Sequence, residues 1–109
     1  RVESAGGLLC TEQVEPVFNV HPEVRRTALV GLGLRGLQRP VLCVELMPGV
    51  NSNQQARIQR ELESTAPRTP QTLRVRDFLF HPGFPVDIRH NAKIGREQLA
   101  LWAAKKLDV

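Results

Sequence analysis

The residues able to do chemistry gather in one segment, Phe80 to Glu97, which carries His81, Asp87, Arg89, His90, Lys93 and Arg96. Pro82, Gly83, Pro85 and Gly95 punctuate it, and Pro and Gly at that density predict a loop. The loop delivers Lys93, beside the small Ala92, to the mouth of a final helix. A lysine ammonium is a compact point charge on a flexible stem and a common phosphate binder. Brought up to an α-phosphate and a carboxylate together, it lowers the repulsion between two anions. It also stabilises the charge that develops as the carboxylate attacks phosphorus. The plainer reading is a solvated lysine near a helix start. A cation there opposes the helix dipole, a small local cost that favours a functional reason for it.

His81, His90 and Asp87 share the loop, and a His/Asp pair is an acid–base combination. No serine or cysteine lies near them in sequence to act as nucleophile. His90 and Asn91 are therefore read as capping the helix or holding the loop. Arg89 and Arg96 flank Lys93, and either is placed to pair with a carboxylate of a neighbouring domain. At the other end of the chain, Gly6-Gly7 forms a tight turn or allows close backbone approach to a ligand. The cluster Gly31, Gly33 and Gly36 has the wrong spacing for a dinucleotide loop and leads into a strand, so it reads as a hairpin connection.

Around these residues the pattern predicts an α+β domain. Thr11 is a candidate N-cap for a short helix with Val14, Val17 and Phe18 on one face. Pro16 is tolerable only near a first turn, so this helix is expected to begin late and to end between Asn19 and His21. Arg26 to Gly31 reads as a short strand, and Val41 to Met47 as the most strand-like segment. Ser52 with Gln55 makes a capping box for a helix from Asn53 to Thr65 that turns Ile58, Leu62 and Ala66 inward. Leu73 to Phe80 is a third strand. A last helix, Arg96 to Leu107, buries Leu99, Trp102 and Ala103. The expected architecture is a small layer of about three strands, mainly antiparallel, covered by helices.

With 109 residues the chain is one domain, able to bury about 65% of its unfolded surface. It is too small to enclose a nucleotide and an acyl substrate as well as build a core. Its only methionine is Met47, and Arg1 to Ser4 reads as the middle of a strand, so a fragment of a longer protein is expected. The net charge is +4, but Arg and Lys are scattered and Tyr is absent, which argues against nucleic acid. Cys10 and Cys43 lie far apart in apolar surroundings and read as buried free thiols in a reducing cytoplasm, with no zinc site. No apolar run is long enough to span a membrane.

Taken in order, the chain resembles the small C-terminal domain of the adenylate-forming ligases. Three stretches carry the likeness. Gly6 to Glu15 sits where that family has its hinge-proximal motif. His21 to Gly31 is similar to the family's HPxVxxAAVVG segment. Ala92-Lys93-Ile94-Gly95-Arg96-Glu97-Gln98-Leu99 is similar to GKIxRxxL, which holds the family's catalytic lysine. Ala92 replaces the usual glycine, and the spacing from Pro85 to Lys93 is longer than the usual one. The wording from Leu79 to Ile94 looks most like the branch that forms β-lactones in bacterial long-chain olefin biosynthesis.

The resemblance implies that residues 1–109 are a lid on a large N-terminal adenylation domain absent from this chain. It implies ATP and Mg2+, bound mainly by that domain, and a fatty-acid-type substrate. A 2-alkyl-3-hydroxy acid would be cyclised to a β-lactone with release of AMP and pyrophosphate. Lys93 would be catalytic, Gly6 and Gly7 a substrate- and hinge-proximal loop, and His90, Asn91 and Arg96 its loop support. Further implied partners are other enzymes of the olefin pathway. The alternatives are an acyl-CoA synthetase domain, in which the Gly6-Gly7 region helps receive the pantetheine thiol, and a small basic interaction or nucleic-acid module.

Overall fold

A computed structural model describes residues 1–90 and 92–109. The chain opens with a hairpin, β1 (Val2–Ser4) and β2 (Gly7–Leu9), followed by α1 (Thr11–Asn19). Then come β3 (Val24–Leu32), β4 (Arg39–Leu46), α2 (Gln55–Thr65) and β5 (Asp77–Phe80). A second hairpin, β6 (Val86–Asp87) and β7 (Lys93–Ile94), precedes α3 (Arg96–Leu107). The order β3-β4-β5 forms the central sheet, and the two hairpins pair by themselves.

The α+β expectation holds. The sheet is mixed: β3 and β4 pair antiparallel, with Leu29 opposite Leu42, while β5 joins β4 in parallel, with Phe78 opposite Leu42. A parallel neighbour needs a crossover, and α2 supplies it. Apolar side chains run continuously along β4 from Val41 to Val44 because both faces of the sheet are covered. Alternate residues serve different cores. Leu29, Leu42 and Val44 pack with Val14, Phe18, Ile58 and Leu62 from α1 and α2. Ala28, Val30, Val41 and Cys43 pack with Phe84, Leu99 and Ala103, so α3 and the loop before β6 close the other face.

Several local expectations change in detail. The first helix starts at Thr11 with Pro16 inside it. Glu12, whose carbonyl Pro16 cannot bond, and Pro16 are both exposed residues on the solvent side of the helix. Cys10 holds the N-cap position without a side-chain bond, and Thr11 Oγ1 donates to Glu12 instead. Before α2, a single turn of 3₁₀ helix from Ser52 to Gln54 replaces the Ser52–Gln55 capping box. There the Asn51 side chain accepts the Asn53 N–H. The third strand is shorter than Leu73 to Phe80, because hydrogen bonds from Thr72 to Ala66 and from Val75 to Thr72 fold the preceding residues into turns. Trp102 and Cys10 are half-buried rather than buried.

Candidate functional site

Lys93 stands on β7, exposed, at the end of a short hairpin rather than in an irregular loop. Two contacts close the hairpin on itself and a third ties its root to the body. Gly95 N–H donates to the Pro85 carbonyl at 2.7 Å, and Val86 and Ile94 pair above it. Below it, His81 N–H donates to the Val44 carbonyl at 2.8 Å, continuing the parallel pairing of β5 with β4. The chain then bends out of the sheet at Pro82 and Gly83, where His81 Nδ1 accepts the Gly83 N–H at 3.0 Å. The left-handed backbone of Ala92, φ 53°, completes the return into β7. That is the position where the family motif has glycine, and a residue with a Cβ is strained there.

The anchor beneath this hairpin is Glu45, which the sequence reading placed only as part of a strand. It is 4% exposed. Its Oε1 accepts the Arg26 Nε–H at 2.7 Å and the Phe84 N–H at 2.8 Å, and its Oε2 accepts Arg25 at 3.2 Å. Burial pushes the Glu45 carboxyl up. The hydrogen bonds from Arg26 and Phe84 and the charges of Arg26 and Arg25 outweigh burial and hold it below the usual carboxylate range. Arg26 also lies over the Phe84 ring, 5.5 Å from its centroid. His81 packs edge-on against Trp102 of α3 at 4.6 Å, and burial lowers its imidazole below the ordinary value, opposed in part by the charge of Glu45. The only hint of this in the sequence was a lone glutamate in the apolar run Val41 to Met47.

The predicted site residues do not all converge. An open cleft of about 870 Å3 contains Asp87, Ile88, His90, Lys93 and Arg96. Gly6 and Gly7 lie outside it, at the turn of the β1–β2 hairpin, where Gly7 has φ +128° and the Arg74 side chain covers both glycines. The tight-turn reading of that pair therefore holds. Asn91 lies outside the described residues. His90 Nδ1 bonds Asp87 Oδ2 at 2.6 Å, three residues earlier in the same segment. Arg96 is engaged within the chain itself. It makes a bidentate pair with Glu15 of α1 and touches the Leu29 carbonyl. Among the described residues Lys93 has no ion-pair partner. Its ammonium is thus exposed, and no carboxylate of the described residues neutralises it.

Elsewhere, His21, Glu23 and Glu61 bring three donor atoms within 4.8 Å of one another. The Arg57 guanidinium already bridges the two carboxylates, and His21 Nδ1 accepts the Glu23 N–H, which leaves its Nε2–H to donate to Glu61. That is a hydrogen-bonded clamp between α2 and the start of β3 rather than an open ligand set. No helix among the described residues is long and apolar enough to cross a membrane.

The fold is that of the small domain of adenylate-forming enzymes. It superposes on a Brucella canis acyl-CoA synthetase with a TM-score of 0.73 at 23% identity, covering 97% of this chain and 19% of that one. An anthranilate CoA ligase in complex with anthranoyl-AMP gives 0.70 at 22% identity, over 100% of this chain and 20% of the other. In sequence, the chain is homologous to the olefin beta-lactone synthetases. It is 61% identical over 106 residues to that of Xanthomonas campestris pv. campestris, covering 97% of this chain. To that of Stenotrophomonas maltophilia it is 57% identical over 109 residues, covering 99% of this chain. The chain spans 19% of the length of each of these relatives. No family model matches.

Proposed function

We propose that this chain is the C-terminal, lysine-bearing lid of an AMP-forming ligase that makes β-lactones. The single observation that carries the reading is the 61% identity over 106 residues with an olefin beta-lactone synthetase, an alignment long enough to include the Lys93 hairpin. On this reading a large N-terminal domain precedes the chain and holds ATP and a fatty-acid-type substrate, a 2-alkyl-3-hydroxy acid. Lys93 is the catalytic residue. Carried by its hairpin to the cleavage point, the ammonium lies between the acyl carboxylate and the α-phosphate and offsets their repulsion. The substrate's own 3-hydroxyl then displaces AMP, and reaction within one molecule is favoured by proximity.

ATP brings Mg2+ to such a site. On this reading the ion is held mainly by the large domain, and Asp87, the carboxylate opposite Lys93 in register, bonds His90 and the Arg89 N–H. Gly6 and Gly7 form the turn that lies toward the hinge. His90, Asn91 and Arg96 support the lysine loop. Two free thiols suit a reducing cytoplasm, where other enzymes of the olefin pathway would be the working partners.

The test is Lys93→Ala in the full-length natural protein. It should keep the fold by circular dichroism and slow pyrophosphate release about a hundredfold or more. Release at the parent rate would overturn the role of Lys93. Product mass spectrometry with and without coenzyme A tests the rest: a β-lactone, or the alkene it breaks down to, is expected under both conditions. A thioester that appears only with coenzyme A would overturn the β-lactone reading.

A further inference from the structure

Asp87 and Lys93 are direct partners in the β6–β7 register. Residues facing each other in an antiparallel pair share one side of the ribbon, with Cβ atoms about 5 Å apart, and opposite charges there attract. Yet no carboxylate lies within ion-pair distance of Lys93 among the described residues. Asp87 is turned to other partners. Its Oδ2 takes a hydrogen bond from His90 Nδ1 at 2.6 Å, and its Oδ1 takes one from the Arg89 N–H at 3.0 Å. An ionised carboxylate only accepts, so the imidazole nitrogen facing it is the donor.

We propose that His90 and Asp87 are positioning residues for Lys93. His90 keeps the Asp87 carboxylate engaged along the turn, and the ammonium across the ribbon stays available to an anionic ligand. Without His90, Oδ2 would find its next donor directly opposite, in Lys93, and the hairpin would neutralise its own charge. Of the other charged groups in the same cleft, the Arg89 guanidinium makes no ion pair among the described residues, although its backbone N–H bonds Asp87. Arg96 is committed to Glu15, and Glu97 belongs to the first turn of α3, outside the β6–β7 register. The inference rests on the reading of Lys93 as the residue that meets the phosphate.

The experiment uses the full-length natural protein and the initial rate of pyrophosphate release with ATP and a 3-hydroxy acid. His90→Ala is expected to slow release about fivefold, the range open to an exposed ion pair that forms in the wrong place. The loss should shrink relative to the parent as salt rises to about 0.5 M, because a surface pair is screened while a misfolded loop is not. Asp87→Ala added to His90→Ala should restore most of the rate, since the competing carboxylate is gone. A His90→Ala rate equal to the parent, or a double variant as slow as the single one at both salt levels, would overturn the proposal. Lys93→Ala, measured alongside, separates the two questions. If it too releases pyrophosphate at the parent rate, the role assigned to Lys93 is what fails.

Discussion

Arg96 and Glu15 join the two ends of the chain: Nη1 donates to Oε2 at 2.6 Å and Nη2 to Oε1 at 3.0 Å. Glu15 Oε2 also accepts the Leu29 N–H at 2.7 Å, and Arg96 Nη1 reaches the Leu29 carbonyl at 3.3 Å. One carboxylate thus connects the first residue of α3, the middle of α1 and an edge-facing backbone pair of β3. Because Ile94 and Gly95 alone separate Arg96 from Lys93, this joint holds the far end of the lysine hairpin on the body, as Glu45 holds the near end.

Replacing Glu15 by Ala should therefore lower stability by about 1–3 kcal/mol, since the guanidinium loses a charged partner and the Leu29 N–H loses its acceptor. Arg96→Lys should lose a similar amount, because a point charge cannot reproduce a planar fork that meets both oxygens. Thermal unfolding of each variant measures this. An Arg96→Lys variant that melts with the parent would show that the fork geometry does not matter.

Acid should loosen the loop in two stages. The His81 imidazole is lowered by burial from 6.5, so its share of stability is present above pH 6.5 and fades as pH falls from there toward the lower folded value. Glu45 is held below its usual 4.5, so its share is present above pH 4.5 and is lost as pH falls through the lower folded value. Urea midpoints taken from roughly pH 8 to 3.5 should show both stages. His81→Phe should flatten the upper stage and Glu45→Gln the lower. A Glu45→Gln variant with the full acid loss would contradict the assignment.

Ala92→Gly should stabilise the hairpin. A residue with a Cβ at φ 53° carries strain of about 1–2 kcal/mol, which glycine avoids. Glycine's greater freedom in the unfolded chain cancels part of this, so a net gain of about 0.5–1 kcal/mol is expected. Chemical denaturation measures it, and a clear loss would mean that the Ala92 methyl makes a contact worth more than its strain.

The thiols should differ in reactivity. Burial pushes the Cys43 thiol up to about 12, whereas Cys10 is half-buried. In the native protein a thiol reagent should label Cys10 alone, and in denaturant both, as counted by mass spectrometry. Rapid native labelling at Cys43 would show that the core around Leu99 and Ala103 opens readily.

Local signals in the chain proved readable because they depend on sequence neighbours. The limits of α3 follow from Gly95 before it and the periodic Leu99 and Ala103 within it. The apolar run Val41 to Val44 announced a strand covered on both faces, and Gly6-Gly7 announced a turn. Pro16 misled, since its cost depends on whether the unmatched carbonyl meets solvent, and that is a property of the packed helix.

What the amino-acid order determined alone was therefore the set of elements, the wording of the motifs and the exposure of a lysine among small residues. Tertiary structure decided the rest. It paired β5 in parallel with β4, buried Glu45 under the Phe84 loop and joined Arg96 to Glu15 across the molecule. It also left Gly6 and Gly7 outside the Lys93 cleft. The physical reason is range. Periodicity and turn chemistry act over a few residues, whereas desolvation and charge pairing depend on which distant groups the closed sheet brings within 3 Å of each other, as with Glu15 and Arg96 at 2.6 Å across 81 residues.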